Sequence, residues 1–234
     1  MKIFNYLLCS SFLLLVHVLL PINIRLICTA ALTNDFFDFR KQQYIEGFNI
    51  LSTFGYNDVY VVEAIKKQGP TFLNDYSKNV FYATCNDRTL NNLQINEATT
   101  LLEGIRNFNF DPEDMIIKIN GRYHLQSDYF LKIVEKNMSN YDGFFRGNLF
   151  FHGDCGTLCY AIRCKYLREM LEEMDYDYMN RIWTCLEVMV GNYIHKKIKQ
   201  GKMRVFFVDK LDIKYNAKGS SLDPSIREDW IRHY

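Results

Sequence analysis

The sequence predicts an α/β fold, a mostly parallel central sheet flanked by helices. Three observations carry this reading. Short runs rich in β-branched and aromatic residues recur along the chain, clearest at 59–65 (Val-Tyr-Val-Val-Glu-Ala-Ile) and 115–119 (Met-Ile-Ile-Lys-Ile). The runs are continuous rather than alternating, as in strands covered on both faces. Between them lie segments of crossover length with apolar residues at helical spacing, which imply βαβ units with right-handed connections.

The elements follow in order. Residues 23–32 read as the first strand. Residues 35–53 form a helix with Phe37, Tyr44, Ile45, Phe48 and Leu51 at helical spacing and Gly55 as its stop. The second strand is 59–65, a short helix covers 72–76, and the third strand, 79–84, runs into the Asn-rich loop 85–94. Residues 96–108 are helical, with Ala98, Leu101, Leu102 and Ile105 on one face. Asp111-Pro112 breaks the chain before the fourth strand, 115–119. A helix at 127–137 starts at a Ser or Asp cap. Residues 143–151 are aromatic and extended, 157–174 are strand then helix, 181–198 are one long amphipathic helix, and 203–208 are the last core strand. The expected division is a hydrophobic segment at 1–21, one α/β domain at 22–222 and a C-terminal tail at 223–234.

Charge and cysteine usage narrow the function. With 28 basic and 27 acidic side chains the net charge is +1. That is no basic excess of the kind a nucleic-acid partner calls for, and none is expected. The basic run at 196–199 reads as a helix end complementing its dipole. The cysteines are Cys9, Cys28, Cys85, Cys155, Cys159, Cys164 and Cys185. They form no Cys-x-x-Cys pair and have no His at ligand spacing, so buried free thiols of a reducing compartment are expected rather than a zinc site.

The N-terminus reads differently. An apolar run spans 3–20 and ends at Pro21, just long enough to cross a bilayer, with Lys2 ahead of it. A signal-anchor, a cleaved signal peptide and a helix packed on the domain all fit. Cleavage near Ala30 would remove most of the first strand, so the signal-anchor is preferred and a single-pass membrane location is expected.

Four places could carry chemistry. The fourth strand delivers Lys118 and then Gly121-Arg122-Tyr123 at its tip. Gly permits close backbone approach, Arg offers a bidentate fork to phosphate, and Tyr offers a ring and a hydroxyl. A plain Gly turn between a surface Arg and a core Tyr accounts for the same residues. The loop 91–97 brings Asn96 and Glu97 to a helix start, where they orient a ligand or simply cap the helix. Glu187 stands in an apolar helix, either exposed or facing a cleft as a base. Asp154, between Gly153 and Gly156, is a metal or sugar ligand or a solvated turn. Asp175-Tyr176-Asp177 spells a metal-type triplet but falls between helices as a linker. No Walker loop, Gly-x-Gly-x-x-Gly, His-Glu-x-x-His or Gly-x-Ser-x-Gly is present.

The order of these motifs resembles a family of uncharacterised glycosyltransferase-like proteins of bacteria and large DNA viruses, with a GT-A-type nucleotide-diphospho-sugar transferase fold. The resemblance rests on Thr29-Ala30-Ala31-Leu32, Val61-Val62-Glu63, Asn96-Glu97-Ala98 and above all Lys118-Ile-Asn120-Gly121-Arg122-Tyr123. There the family reads Lys-x-Thr-Gly-Arg-Tyr. Cys159 to Leu171, Glu187 with Tyr193-Ile194, and Val208 to Ile213 complete it, and the match spans roughly 22–221. It implies a nucleotide-sugar donor held by Thr29, Ala30, Glu63, Asn96, Glu97, Lys118, Gly121, Arg122 and Tyr123. Lys118 and Arg122 would lie at the diphosphate where a metal-binding Asp-x-Asp is commoner, so no metal is implied. This chain departs from the pattern at Asn120 and at Leu90-Asn91-Asn92, where a Lys-Gly pair is common.

The expected function is therefore transfer of a sugar from a nucleotide-sugar to a glycan or other hydroxyl acceptor, with Glu187 or Asp154 as the acceptor-side carboxylate. Two alternatives stand beside it. One is a catalytically inactive nucleotide- or glycan-binding module of the same fold. The other is a membrane-anchored interaction protein presenting the aromatic stretch 144–151.

Overall fold

The computed structural model describes residues 22–32, 37–66, 69–86, 89–90, 92–147 and 156–214. The strands are β1 (Ile24–Ala30), β2 (Val59–Glu63), β3 (Asn79–Tyr82), β4 (Met115–Asn120), β5 (His124–Leu125), β6 (Gly143–Arg146), β7 (Cys159–Arg163), β8 (Val205–Val208) and β9 (Ile213–Lys214). The helices are α1 (Phe37–Thr53), α2 (Gln94–Phe108), α3 (Tyr129–Asn137), α4 (Cys164–Glu173), α5 (Tyr176–Ile182) and α6 (Leu186–Lys199).

Seven strands make one sheet in the order β3-β2-β1-β4-β7-β6-β8, and β5 and β9 form a separate ribbon. The β1–β2, β2–β3, β1–β4 and β6–β8 pairs are parallel, and β7 runs antiparallel to β4 and β6. The fold is α/β with a mostly parallel central sheet flanked by helices. β1 has β2 on one side and β4 on the other, so the connections reverse direction there. The crevice beyond the carboxyl ends of those strands is where such sheets bind ligands.

Strand alternation divides the core in two. Leu26, Cys28, Ile117, Ile119 and Phe144 face α1, α3 and the ribbon. Ile27, Val62, Ile116, Phe145 and Ile162 face α2, α4, α5 and α6. Each face buries a helix stripe, such as Ala98, Leu101, Leu102 and Ile105 of α2. Both faces being covered explains why the strands read as unbroken apolar runs. Cys28, Cys159 and Cys164 are buried free thiols, whereas, against expectation, Cys85 is exposed and Cys185 half-buried. Burial pushes the Cys159 thiol up to about 12.

Several expectations are corrected. The helix expected over 181–198 is two helices: α5 ends at Trp183, which adopts φ +59, and α6 begins at Leu186. Asp175-Tyr176-Asp177 is no linker, because the Asp175 carboxylate accepts from the Tyr178 N–H at 2.8 Å and starts α5. α2 starts at Gln94 rather than 96, so Asn96 is not its cap. Phe144 and Phe145 are fully buried, one in each core layer, and present nothing to a partner. The single-pass membrane placement is also corrected, since no helix among the described residues is long and apolar enough to cross a membrane. The hydrophobic segment 1–21 on which that placement rested lies outside the described residues. So do the tail 223–234, Asn91 and Asp154.

Candidate active site

The carboxyl edge of β1, β2 and β4 gathers polar groups on both faces of the sheet. On the α1 face, Glu63 ends β2 fully buried. Its Oε1 accepts the N–H groups of Leu32 (3.1 Å), Ile65 (2.7 Å) and Lys66 (2.9 Å), tying the loop after β1 to the loop after β2. Its Oε2 is buried and has no hydrogen-bond partner. Burial pushes this carboxyl above the ordinary range, against the three N–H donors and Arg40. The Tyr44 hydroxyl accepts the Ala31 N–H at 2.8 Å, and Arg40 Nη1 donates to the Ala31 carbonyl at 2.5 Å.

The Gly121-Arg122-Tyr123 turn closes against this group. The Gly121 N–H donates to the Thr29 carbonyl at 3.1 Å, and the Tyr123 N–H donates to the Asn120 carbonyl at 2.9 Å. A Cβ on Gly121 would lie 2.9 Å from Cδ1 of the Tyr44 ring. A Cβ on Gly47 of α1 would lie 2.6 Å from the Gly121 carbonyl oxygen. Glycine is required here so that α1 can pack on the turn, rather than for a ligand's approach. The Arg122 guanidinium lies 5.6 Å from the centre of the Tyr123 ring. Arg40 and Arg122 are close enough for each to act electrostatically on Tyr44. Burial and then Arg122 lower the pKa of Arg40. Two guanidiniums thus lie within electrostatic reach of one tyrosine, and guanidiniums suit anions with several oxygens.

The opposite face holds a polar chain. Lys118, 1% exposed, points by strand alternation toward α2. Its Nζ makes a very short ion pair with Glu97 and donates to the Thr157 carbonyl at 2.9 Å. It also lies 5.8 Å from the Tyr160 ring centre. The Thr157 hydroxyl donates to Glu187 Oε1 at 2.6 Å in the first turn of α6. Glu187 is half-buried, and Oε1 is the oxygen bonded within the protein.

The expected donor residues therefore separate. Glu63, Ala30, Gly121, Arg122 and Tyr123 come together on the α1 face, and the Ala30 carbonyl is taken up by the Ala64 N–H at 2.9 Å. Lys118 and Glu97 lie on the α2 face, so the pairing of Lys118 with Arg122 over one diphosphate is corrected. Residue 118 alternates with Ile117 and Ile119 and is turned to the other side of the sheet. Thr29 sits at the end of β1 with a buried hydroxyl that lacks a hydrogen-bond partner. Asn96 is buried inside α2, and its carbonyl accepts the Thr100 hydroxyl at 2.5 Å. Asn92 staples the α5–α6 corner instead of facing a ligand: its Nδ2 donates to the carbonyls of Met179 (3.2 Å) and Thr184 (2.8 Å). Sequence reasoning missed Arg40, Tyr44 and Thr157. Arg40 and Tyr44 are one helical turn apart, the one available signal that they act together. Among the described residues no group of three or more His, Cys, Asp or Glu side chains is arranged to hold a metal ion.

Comparison with known proteins agrees with this architecture. No protein-family model and no curated protein matches the chain. A solved structure from Bacillus anthracis, assigned as a glucose-1-phosphate thymidylyltransferase and crystallised with sucrose, superposes with a TM-score of 0.53 at 10% identity. It covers 86% of this chain and 92% of that one. The bifunctional IspDF from Campylobacter jejuni matches with a TM-score of 0.48 at 13% identity, over 80% of this chain and 49% of that one. The glycosyltransferase GlyE of Streptococcus pneumoniae matches with a TM-score of 0.46 at 10% identity, over 81% of this chain and 46% of that one. The chain spans about half the length of these last two. What is shared with the Bacillus anthracis structure is the α/β fold.

Proposed function

We propose that the chain binds a nucleotide-sugar across the carboxyl ends of β1, β2 and β4 and transfers its sugar to a hydroxyl acceptor. The observation that carries this is that Arg40 and the Gly121-Arg122 turn both pack against the end of β1 and Tyr44, at the switch point of this fold. The two forks hold the diphosphate and stabilise the charge that develops as it leaves. Arg40 takes the role that the sequence assigns to Lys118. Glu63, whose buried Oε2 lacks a partner on the same face, supplies a hydrogen bond to the nucleoside.

In the reaction the acceptor oxygen bonds to the anomeric carbon. The bond from that carbon to the diphosphate oxygen breaks, and the diphosphate departs with the electron pair. The acceptor's proton goes to Glu187, whose Oε1 is held by Thr157. The likeness to the thymidylyltransferase favours a second reading, nucleotidyl transfer from a triphosphate to a sugar phosphate. The same two guanidiniums would hold that triphosphate, and the product separates the two: pyrophosphate for nucleotidyl transfer, nucleoside diphosphate for glycosyl transfer.

Thermal melting with nucleoside diphosphates and their sugars tests the reading. Ligand at about 100 times its Kd should stabilise the protein by about 2.7 kcal/mol, a rise of several degrees. Arg40→Ala and Arg122→Ala should each abolish most of that rise. A rise that survives both substitutions sinks the site.

A further inference from the structure

We propose that Tyr44 is a positioning residue for the donor site: its hydroxyl fixes the backbone that anchors Arg40, and its ring backs the turn that carries Arg122. The role rests on the nucleotide-binding reading above. Tyr44 is 1% exposed and lies one helical turn after Arg40 on α1.

The strand ladder ends just before this contact. The Ala30 carbonyl still accepts the Ala64 N–H from beyond the end of β2. The next peptide groups pass to side chains. The Ala31 N–H donates to the Tyr44 hydroxyl at 2.8 Å, the Ala31 carbonyl accepts from Arg40, and the Leu32 N–H donates to Glu63. Helix α1 therefore grips one residue by both of its backbone groups, with two side chains on the same helix face. With the Ala31 N–H held, its carbonyl stays within reach of Arg40 and the guanidinium keeps one orientation. Burial pushes the Tyr44 hydroxyl above its ordinary range, so it serves as a neutral acceptor.

The ring has a second task. A Cβ on Gly121 would lie 2.9 Å from Cδ1 and 3.1 Å from Cε1 of Tyr44, so the ring packs directly on the bare backbone of the turn. Arg122 is the next residue. Arg122, Glu63 and Arg40 all act electrostatically on Tyr44, which sets it among the three charged groups assigned to the donor. Groups that hold a ligand need neighbours whose own positions are locked by packing and hydrogen bonds.

The effect on binding is selective. Tyr44 acts on the diphosphate through the guanidiniums. Glu63, which faces the nucleoside, keeps its bonds to the Ile65 and Lys66 N–H groups without any help from Ala31. Loosening Ala31 therefore costs affinity for the diphosphate and spares the nucleoside.

Tyr44→Phe keeps the ring and removes only the hydroxyl. UDP, GDP, CDP and dTDP would be titrated by calorimetry, and their nucleosides by ligand-observed NMR. The diphosphate that the wild type binds best should bind the variant about tenfold more weakly, the worth of one hydrogen bond. Its nucleoside should stay within about twofold of wild type. In an Arg40→Ala background the same substitution should cost less than about twofold, because the group it positions is gone. Unchanged diphosphate affinity, equal losses for nucleoside and diphosphate, additive losses with Arg40→Ala, or a Tyr44→Phe chain that does not fold would each overturn the positioning role and leave the donor site standing. A wild type that binds none of these diphosphates overturns the donor site, and the role of Tyr44 with it.

Discussion

Lys118 shows how burial decides what a charged side chain does. Its ammonium is out of water, bonded to Glu97 and to the Thr157 carbonyl, so it has little capacity left for a ligand. The pair is asymmetric: the Lys118 side chain is 2% exposed and that of Glu97 29%. Removing the carboxylate leaves a cation that water cannot reach, whereas removing the cation leaves a carboxylate that water can. Glu97→Ala should therefore cost about 3 kcal/mol and Lys118→Met about 1 kcal/mol or less, as read by urea unfolding. Equal losses, or a larger loss for Lys118→Met, would contradict this account of the ion pair. The role of Lys118 was not legible in the sequence. Its strand is apolar on both sides, so alternation alone could not say which face the lysine takes. The turn that carries Arg122 was legible because it lies past the strand end, beside a glycine.

At the scale of elements, the contact of α1 with the Gly121 turn positions the site. Alanine normally stabilises a helix interior over glycine by about 1 kcal/mol. At Gly47 the new Cβ would meet the Gly121 carbonyl oxygen at 2.6 Å, a backbone atom that cannot rotate away. The clash outweighs the propensity. Gly47→Ala should lose about 1–3 kcal/mol by chemical denaturation and weaken nucleotide binding by displacing Arg122. A stabilised variant would mean that α1 is not seated as described. The helices themselves were legible from apolar spacing, with one exception. Nothing in Arg181-Ile-Trp-Thr-Cys-Leu marks a break, since the chain turns at a tryptophan rather than at glycine or proline. The turn is imposed from a distance, by Asn92 and Gln94 bonding to the corner.

For the whole molecule, the strand runs and crossover helices were enough to read an α/β fold with a mostly parallel sheet. The strand order was not, because the reversal at β1 depends on which neighbour each strand selects. Strand alternation gives the candidate site its two faces. Arg40, Glu63 and Arg122 gather toward α1, while Lys118, Thr157 and Glu187 chain together toward α2. A donor on the first face and a carboxylate on the second are suited to a ligand lying across the edge of β1 and β4. The most direct measurement is a crystal structure with a nucleoside diphosphate bound. The account predicts phosphorus density bridged by the guanidiniums of Arg40 and Arg122, with the nucleoside toward Glu63. Phosphate density on Lys118, or at any place remote from those two arginines, would contradict it.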